Sequence, residues 1–95
     1  MKRKYDISDF IPVVTIESIR EGLVERFKKR RKELHLTQRE LSLKSGVSYG
    51  SIRRFESTGD ISLYSLLSVA NSIDCLEDFN ELFKNQIIKS LKEGK

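Results

Sequence analysis

Two clusters of side chains carry the chemistry this chain has to offer. Six cations fall within seven positions, at Arg26, Lys28, Lys29, Arg30, Arg31 and Lys32, and Arg53 and Arg54 follow Tyr49 by four and five positions. Guanidinium and ammonium groups at this density suit a polyanion, above all a phosphate backbone. The plain alternative for a charge run is a solvated helix face. Acid–base and nucleophilic chemistry find no comparable set. The single histidine, His35, reads as a surface residue at a helix end, and no Ser–His–Asp arrangement can be drawn with it. The single cysteine, Cys75, reads as a small, partly buried apolar residue. One cysteine and one histidine make neither an internal disulfide nor a zinc site, and no glycine-rich phosphate loop is present. The expectation is a non-enzyme with no catalytic residue, no cofactor and no metal.

The charge is unevenly spread. The chain has 95 residues, 18 basic and 14 acidic, for a net charge of +4. Residues 1–17 carry three basic and three acidic groups, residues 18–57 eleven and five, and residues 58–95 four and six. The basic excess therefore lies in the middle of the chain, as a one-sided surface for a polyphosphate partner requires. The length suits one compact domain. No apolar run approaches the roughly 18 residues of a membrane span, so a cytoplasmic protein is expected. Membrane-surface binding is disfavoured as well, because Phe27 and Leu34 are expected inside the fold, leaving no apolar face for lipid.

The positioning elements follow from periodicity and caps. Phe10–Ile16 is β-branched and interrupted by the single proline, Pro12, which suggests an extended arm or short strand over residues 1–17. Ser18 with Glu21 fits a capping box, and Ile19, Leu23, Phe27 and Leu34 extend a first helix to about Leu34. Gly22 weakens its first turn by up to ~1 kcal/mol relative to Ala. Thr37 with Glu40 opens a second, short helix around Leu41, and Gly46 suits a left-handed stop. Ser48 caps a third helix with Ile52 and Phe55 inward. The cluster Ser57-Thr58-Gly59-Asp60 is a turn. Ser62 caps a fourth helix carrying Leu63, Leu66, Leu67, Val69, Ala70 and Ile73. Asp74 with Glu77 opens a fifth and longer helix through Leu76, Phe79, Leu82, Phe83, Ile87, Ile88 and Leu91. The fold class is all-α, with a five-helix domain over 18–83 and a helical extension over 84–95.

Within this series, residues 37–45 and 48–57 are two helices separated by Gly46 and Val47, the helix-turn-helix pattern. Gly46 gives the turn its flexibility and Val47 anchors it to the core. Ile52 packs the second helix so that its opposite side stays open to the major groove, which admits one helix.

The stretch Arg31–Glu56, with Ile61–Ile73 after it, resembles the lambda-repressor-like family, also called Cro/cI or XRE. The likeness spans roughly residues 24–83. It implies a five-helix DNA-binding domain acting as a homodimer on a pseudo-palindromic double-stranded operator. On this resemblance Tyr49, Gly50 and Arg54 hold base-reading positions, with Arg53 beside them. Gln38 contacts phosphate with the helix N-terminus, and Ser48, Ser51, Arg39 and Lys44 are further phosphate candidates. Arg31 and Glu56 match a family ion pair linking the first helix to the end of the reading helix. Gly50 departs from the pattern, since many members carry a longer polar side chain there. A narrower likeness, in Ser51–Glu56 and Ile61–Leu67, is to regulators found beside HipA-type kinase toxins, which implies an autoregulating repressor and antitoxin with a toxin protein as partner. The competing class is a protein-interaction module of the same fold without specific DNA binding, served by the apolar arm and by a tail bearing Ile87, Ile88 and Leu91.

Overall fold

The computed structural model describes residues 14–85. Among them are four α-helices and one short 3-10 helix, and no strand: α1 is Ile16–Glu33, α2 Gln38–Ser45, α3 Tyr49–Thr58 and α4 Leu63–Ser72, and the 3-10 helix is Leu76–Glu81. Among the described residues no helix is long and apolar enough to cross a membrane.

Local chemistry sets most of the boundaries. Thr37 accepts from the Glu40 N–H at 3.0 Å and the Glu40 carboxylate accepts from the Thr37 N–H at 2.8 Å, closing a reciprocal capping box at the start of α2. Ser48 and Ser62 cap α3 and α4 by accepting from the N–H groups of Ser51 and Ser65, each at 3.1 Å. α2 and α3 both stop at glycines in the left-handed region, Gly46 at φ 80° and Gly59 at φ 85°.

Two sequence expectations about boundaries are corrected. α1 is capped by Thr15, not Ser18: Thr15 Oγ1 accepts from the Ser18 N–H at 2.9 Å and Ser18 Oγ accepts from the Thr15 N–H at 3.0 Å. The helix therefore starts at Ile16, and residues 16 and 17 belong to it and not to an arm. Neither does a long fifth helix start at Leu76. Asp74 takes a left-handed φ of 61°, Cys75 stands at the N-cap with no side-chain cap bond, and the 3-10 helix ends at an extended Leu82. Phe83 follows at φ 63°, wholly exposed, and residues 84 and 85 are non-helical. The remainder of the expected arm, 1–13, and of the extension, 86–95, lies outside the described residues.

The core is built from α1 Val24 and Phe27, α2 Leu41, the turn residue Val47, α3 Ile52 and Phe55, and Val69 and Ile73 from α4 and its C-cap. Phe27 and Phe55 meet edge to face at 5.0 Å between ring centroids and 77° between planes, a favoured aromatic geometry. Leu34, expected inward, is 45% exposed, and Leu63 of the fourth helix is 66% exposed. Leu34 sits past the last turn of α1, and Leu63 is the first residue of α4, one turn ahead of the residues that reach the core. Burial pushes the Cys75 thiol above its ordinary range; Arg30 opposes this, and Asp78 and Asp74 reinforce it.

Gly59 is needed for two reasons at once. Its φ is left-handed, and a Cβ there would lie 2.5 Å from both Cγ and Cδ of Arg20. Gly46 has the first requirement only, with open space around it. Gly46→Ala is expected to cost the left-handed strain alone, about 1–2 kcal/mol. Gly59→Ala should cost more, because Arg20 must also be displaced. Urea unfolding of the two variants followed by circular dichroism checks the order.

Candidate nucleic-acid interface

α3 projects one continuous polar face. Gly50, Arg53, Arg54 and Ser57 stand at i, i+3, i+4 and i+7, so they share one side of the helix, while Ile52, Phe55 and Glu56 face inward. Together with Lys28 and Arg31 of α1, Gln38 of α2 and the Glu56 carboxylate, this face lines an open groove of about 560 Å³. Arg31 and Glu56 pair at its base, and Lys28, Arg53 and Arg54 supply the rest of its charge, with Glu25 4.0 Å from Lys28 and Asp60 3.7 Å from Arg54 outside its lining. The groove is thus cationic, with Gly50 exposed in its lining.

The posture of α3 is set by the Arg31–Glu56 pair that the resemblance implied. Arg31 Nε donates to Glu56 Oε2 at 2.7 Å and Nη2 donates to Oε1 at 2.8 Å. The side chains are 9% and 5% exposed, so the fork is desolvated and two-pronged. Arg31 Nη1 also donates to the Leu36 carbonyl at 2.8 Å, tying in the chain just before α2. Gln38 completes the cluster by donating from Nε2 to Glu56 Oε1 at 2.9 Å. Its amide is therefore engaged inside the protein at the start of α2, beside the groove.

Tyr49 and Arg39 meet here as well. The Arg39 guanidinium stacks 4.0 Å from the Tyr49 ring centroid and that of Arg53 lies 5.5 Å from it. Cation–π contacts at exposed sites contribute about 0.5–1 kcal/mol, enough to bias three flexible side chains toward one arrangement across the start of α2 and α3. Ser48 and Ser51 hydroxyls bond each other at 2.9 Å, part of the α3 cap. Ser51 lines another depression with Arg54 and Asp60, and Lys28 is not part of its lining.

The basic run of α1 divides. Lys28 enters the groove, whereas Arg30 turns away and donates to the Ile73 carbonyl at 3.1 Å. Lys29 and Lys32 line a second open depression with Arg26, Glu25 and Glu33, which Lys28 also borders. Lys44, at the far end of α2, lies not in the groove but in a depression with Arg30, Leu36 and Asp74. His35 is exposed at φ 59° in the turn after α1.

Three participants were not singled out from the sequence. Ser57 follows from the i+7 spacing. Lys28 was submerged in its charge run. Asp60, within 3.7 Å of Arg54 Nη2, carried one signal: it directly follows the glycine that ends an arginine-bearing helix.

Gly50 has a groove-side position and no packing role, since a Cβ there would meet nothing within 4 Å. Gly50→Ala is expected to leave the fold intact and to raise stability by up to about 1 kcal/mol, because glycine in a helix is entropically unfavourable. If close backbone approach matters, the same variant should bind duplex DNA more weakly. Thermal unfolding and duplex titration on one preparation separate the two effects.

The helix-turn-helix family model matches residues 27–78, more than half of the chain. No curated protein sequence and no solved structure matches it. The matched span runs from Phe27 through α2 and α3 to Asp78, and so contains the buried pair, the groove and all of the core cluster but Val24. The chain belongs to the helix-turn-helix family, of the XRE or lambda-repressor-like kind, whose domains bind double-stranded DNA and regulate transcription.

Proposed function

We propose that this chain is a sequence-specific repressor that binds a pseudo-palindromic operator as a homodimer and acts on its own promoter in the cytoplasm. The observation that carries this reading is the face of α3: Gly50, Arg53, Arg54 and Ser57 line one open cationic groove with Lys28, over a buried ion pair that fixes the helix. Tyr49, Gly50, Arg53 and Arg54 read base edges in the major groove. Gln38, Arg39, Ser48 and Ser51 sit at the starts of α2 and α3, where helix N-termini favour phosphate. A single reading helix touches few base pairs, so two copies on half-sites roughly 34 Å apart supply the affinity of an operator complex.

The test is selection of duplexes from a random pool by the full chain, followed by footprinting on the selected sequence and on the DNA upstream of its own gene. An inverted repeat protected at both sites supports the reading. Enrichment of nothing over the starting pool overturns it in favour of a protein-interaction module.

A second reading adds a toxin protein as partner, making the chain an antitoxin. Leu63 and Tyr64, inside the stretch that resembles regulators beside HipA-type toxins, are 66% and 81% exposed, one to two turns before the buried Val69 and Ala70 of the same helix. Co-purification with the product of the neighbouring gene, lost in Tyr64→Ala while DNA binding persists, tests it.

A further inference from the structure

The corner between α3 and α4 holds Arg54 in a way that base contact alone does not require. Asp60 follows the left-handed Gly59, and its N–H donates to Thr58 Oγ1 at 3.1 Å, while that hydroxyl donates to the Arg54 carbonyl at 2.8 Å. The carboxylate is thereby fixed beside the last turn of α3. It faces two cations, with Oδ1 3.4 Å from Arg20 Nη1 and Oδ2 3.7 Å from Arg54 Nη2. Arg20 is held from its other side by Glu17 at 2.9 Å, and its aliphatic stem crosses the bare Cα of Gly59 to get there. Glu17, Arg20, Asp60 and Arg54 thus alternate in sign from the start of α1 to the reading helix. Arg54 and Asp60 are 69% and 52% exposed, and a pair so open to water adds little to folding.

We propose that Asp60 is a positioning residue for Arg54, one that favours contact with a base edge over contact with a phosphate. The proposal rests on the reading of Arg54 as base-contacting. Asp60 faces one terminal nitrogen of the guanidinium, which leaves the other N–H donors of the fork for a two-pronged contact. A guanine edge offers neutral acceptors at O6 and N7, so it can be met with Asp60 still in place. A phosphate brings a full negative charge to the same guanidinium and is repelled by the carboxylate. Discrimination is a difference of affinities, and a group that penalises the wrong mode raises it as surely as one that improves the right mode.

The experiment compares the full chain with Asp60→Asn and Asp60→Glu on a duplex selected from the random pool and on a scrambled duplex, across a salt series. Asp60→Asn should bind the scrambled duplex about eightfold more tightly at 0.1 M salt, with a salt slope steeper by about 0.9, as one more phosphate contact requires. The selected duplex should gain less, so the preference shrinks, and Asp60→Glu should restore part of it. An unchanged slope and preference in Asp60→Asn overturns the proposal. So does an equal gain on both duplexes, which would make Asp60 a general repeller of DNA. Absence of any preference in the unmodified chain removes the base-contact reading and the proposal with it, whereas a clear preference that Asp60→Asn leaves alone removes the proposal only. A merely structural role would move the unfolding midpoint and leave the slope unchanged.

Discussion

Replacing Glu56 with Ala is expected to destabilise the domain by about 3–5 kcal/mol, because it strands a buried guanidinium. Glu56 accepts both prongs of Arg31 and the Gln38 amide, at 2.7, 2.8 and 2.9 Å. Without it Arg31 keeps the Leu36 carbonyl at 2.8 Å, one neutral acceptor for a charge that is 9% exposed. Small domains are stable by roughly 5–15 kcal/mol in total. At about 4–8 °C per kcal/mol for a domain of this size, the unfolding midpoint should fall by tens of degrees. Glu56→Gln should also fall short, since it keeps an acceptor but not the charge. The paired replacement Arg31→Met with Glu56→Leu should recover part of the loss, because no buried charge is left unpaired, although the Leu36 carbonyl and the Gln38 amide lose their partners. Urea denaturation of the four proteins measures this, and a Glu56→Ala penalty below about 1 kcal/mol would mean that water reaches Arg31.

That result bears on function through geometry. The pair is anchored on α1, and its partner Glu56 belongs to the inner face of α3, whose outer face carries Arg53 and Arg54. Its third bond, to Leu36, fixes where α2 begins. The cluster therefore sets the angle between the starts of α2 and α3, the two places where a DNA backbone would be met. If the double replacement is stable yet binds duplex poorly, the ionic pair is retained for orientation and not for stability.

How much of this was legible in the sequence depends on the range of the interaction. The caps at Thr37, Ser48 and Ser62 and the stops at Gly46 and Gly59 are decided within three or four residues, and a sequence states them directly. The start of α1 was misplaced because Thr15-x-x-Ser18 and Ser18-x-x-Glu21 are both acceptable boxes, and in the structure Ser18 fills the return position of the first. The fifth helix was overextended because periodicity reports where apolar residues fall and not whether a surface exists to receive them. Phe83, which that pattern places on the helix, is wholly exposed. Long-range pairings were legible only through resemblance, as for Arg31 with Glu56, or not at all. Arg30 reaches a carbonyl 43 positions away and Arg20 an aspartate 40 positions away, and no local pattern announces either.

Arg54→Ala is expected to weaken binding to the selected duplex by about 1–3 kcal/mol, or roughly 5- to 150-fold, and to relax preference at one base position. The side chain is 69% exposed and, among the described residues, pairs with Asp60 alone, so its loss should leave the unfolding midpoint nearly unchanged. Lys28→Ala is the instructive comparison. Lys28 lines the same groove from α1, carries a point charge without a fork, and should lose affinity evenly on selected and scrambled duplexes, with the salt slope shallower by about 0.9. The two variants thus separate reading from attraction within one groove. Should Arg54→Ala behave like Lys28→Ala, Arg54 is a phosphate contact, and specificity must come from Tyr49, Arg53 or the shape of the DNA itself. Should it lose preference while keeping the slope, the guanidinium is spent on a base edge, which is the arrangement that Asp60 at 3.7 Å is placed to favour.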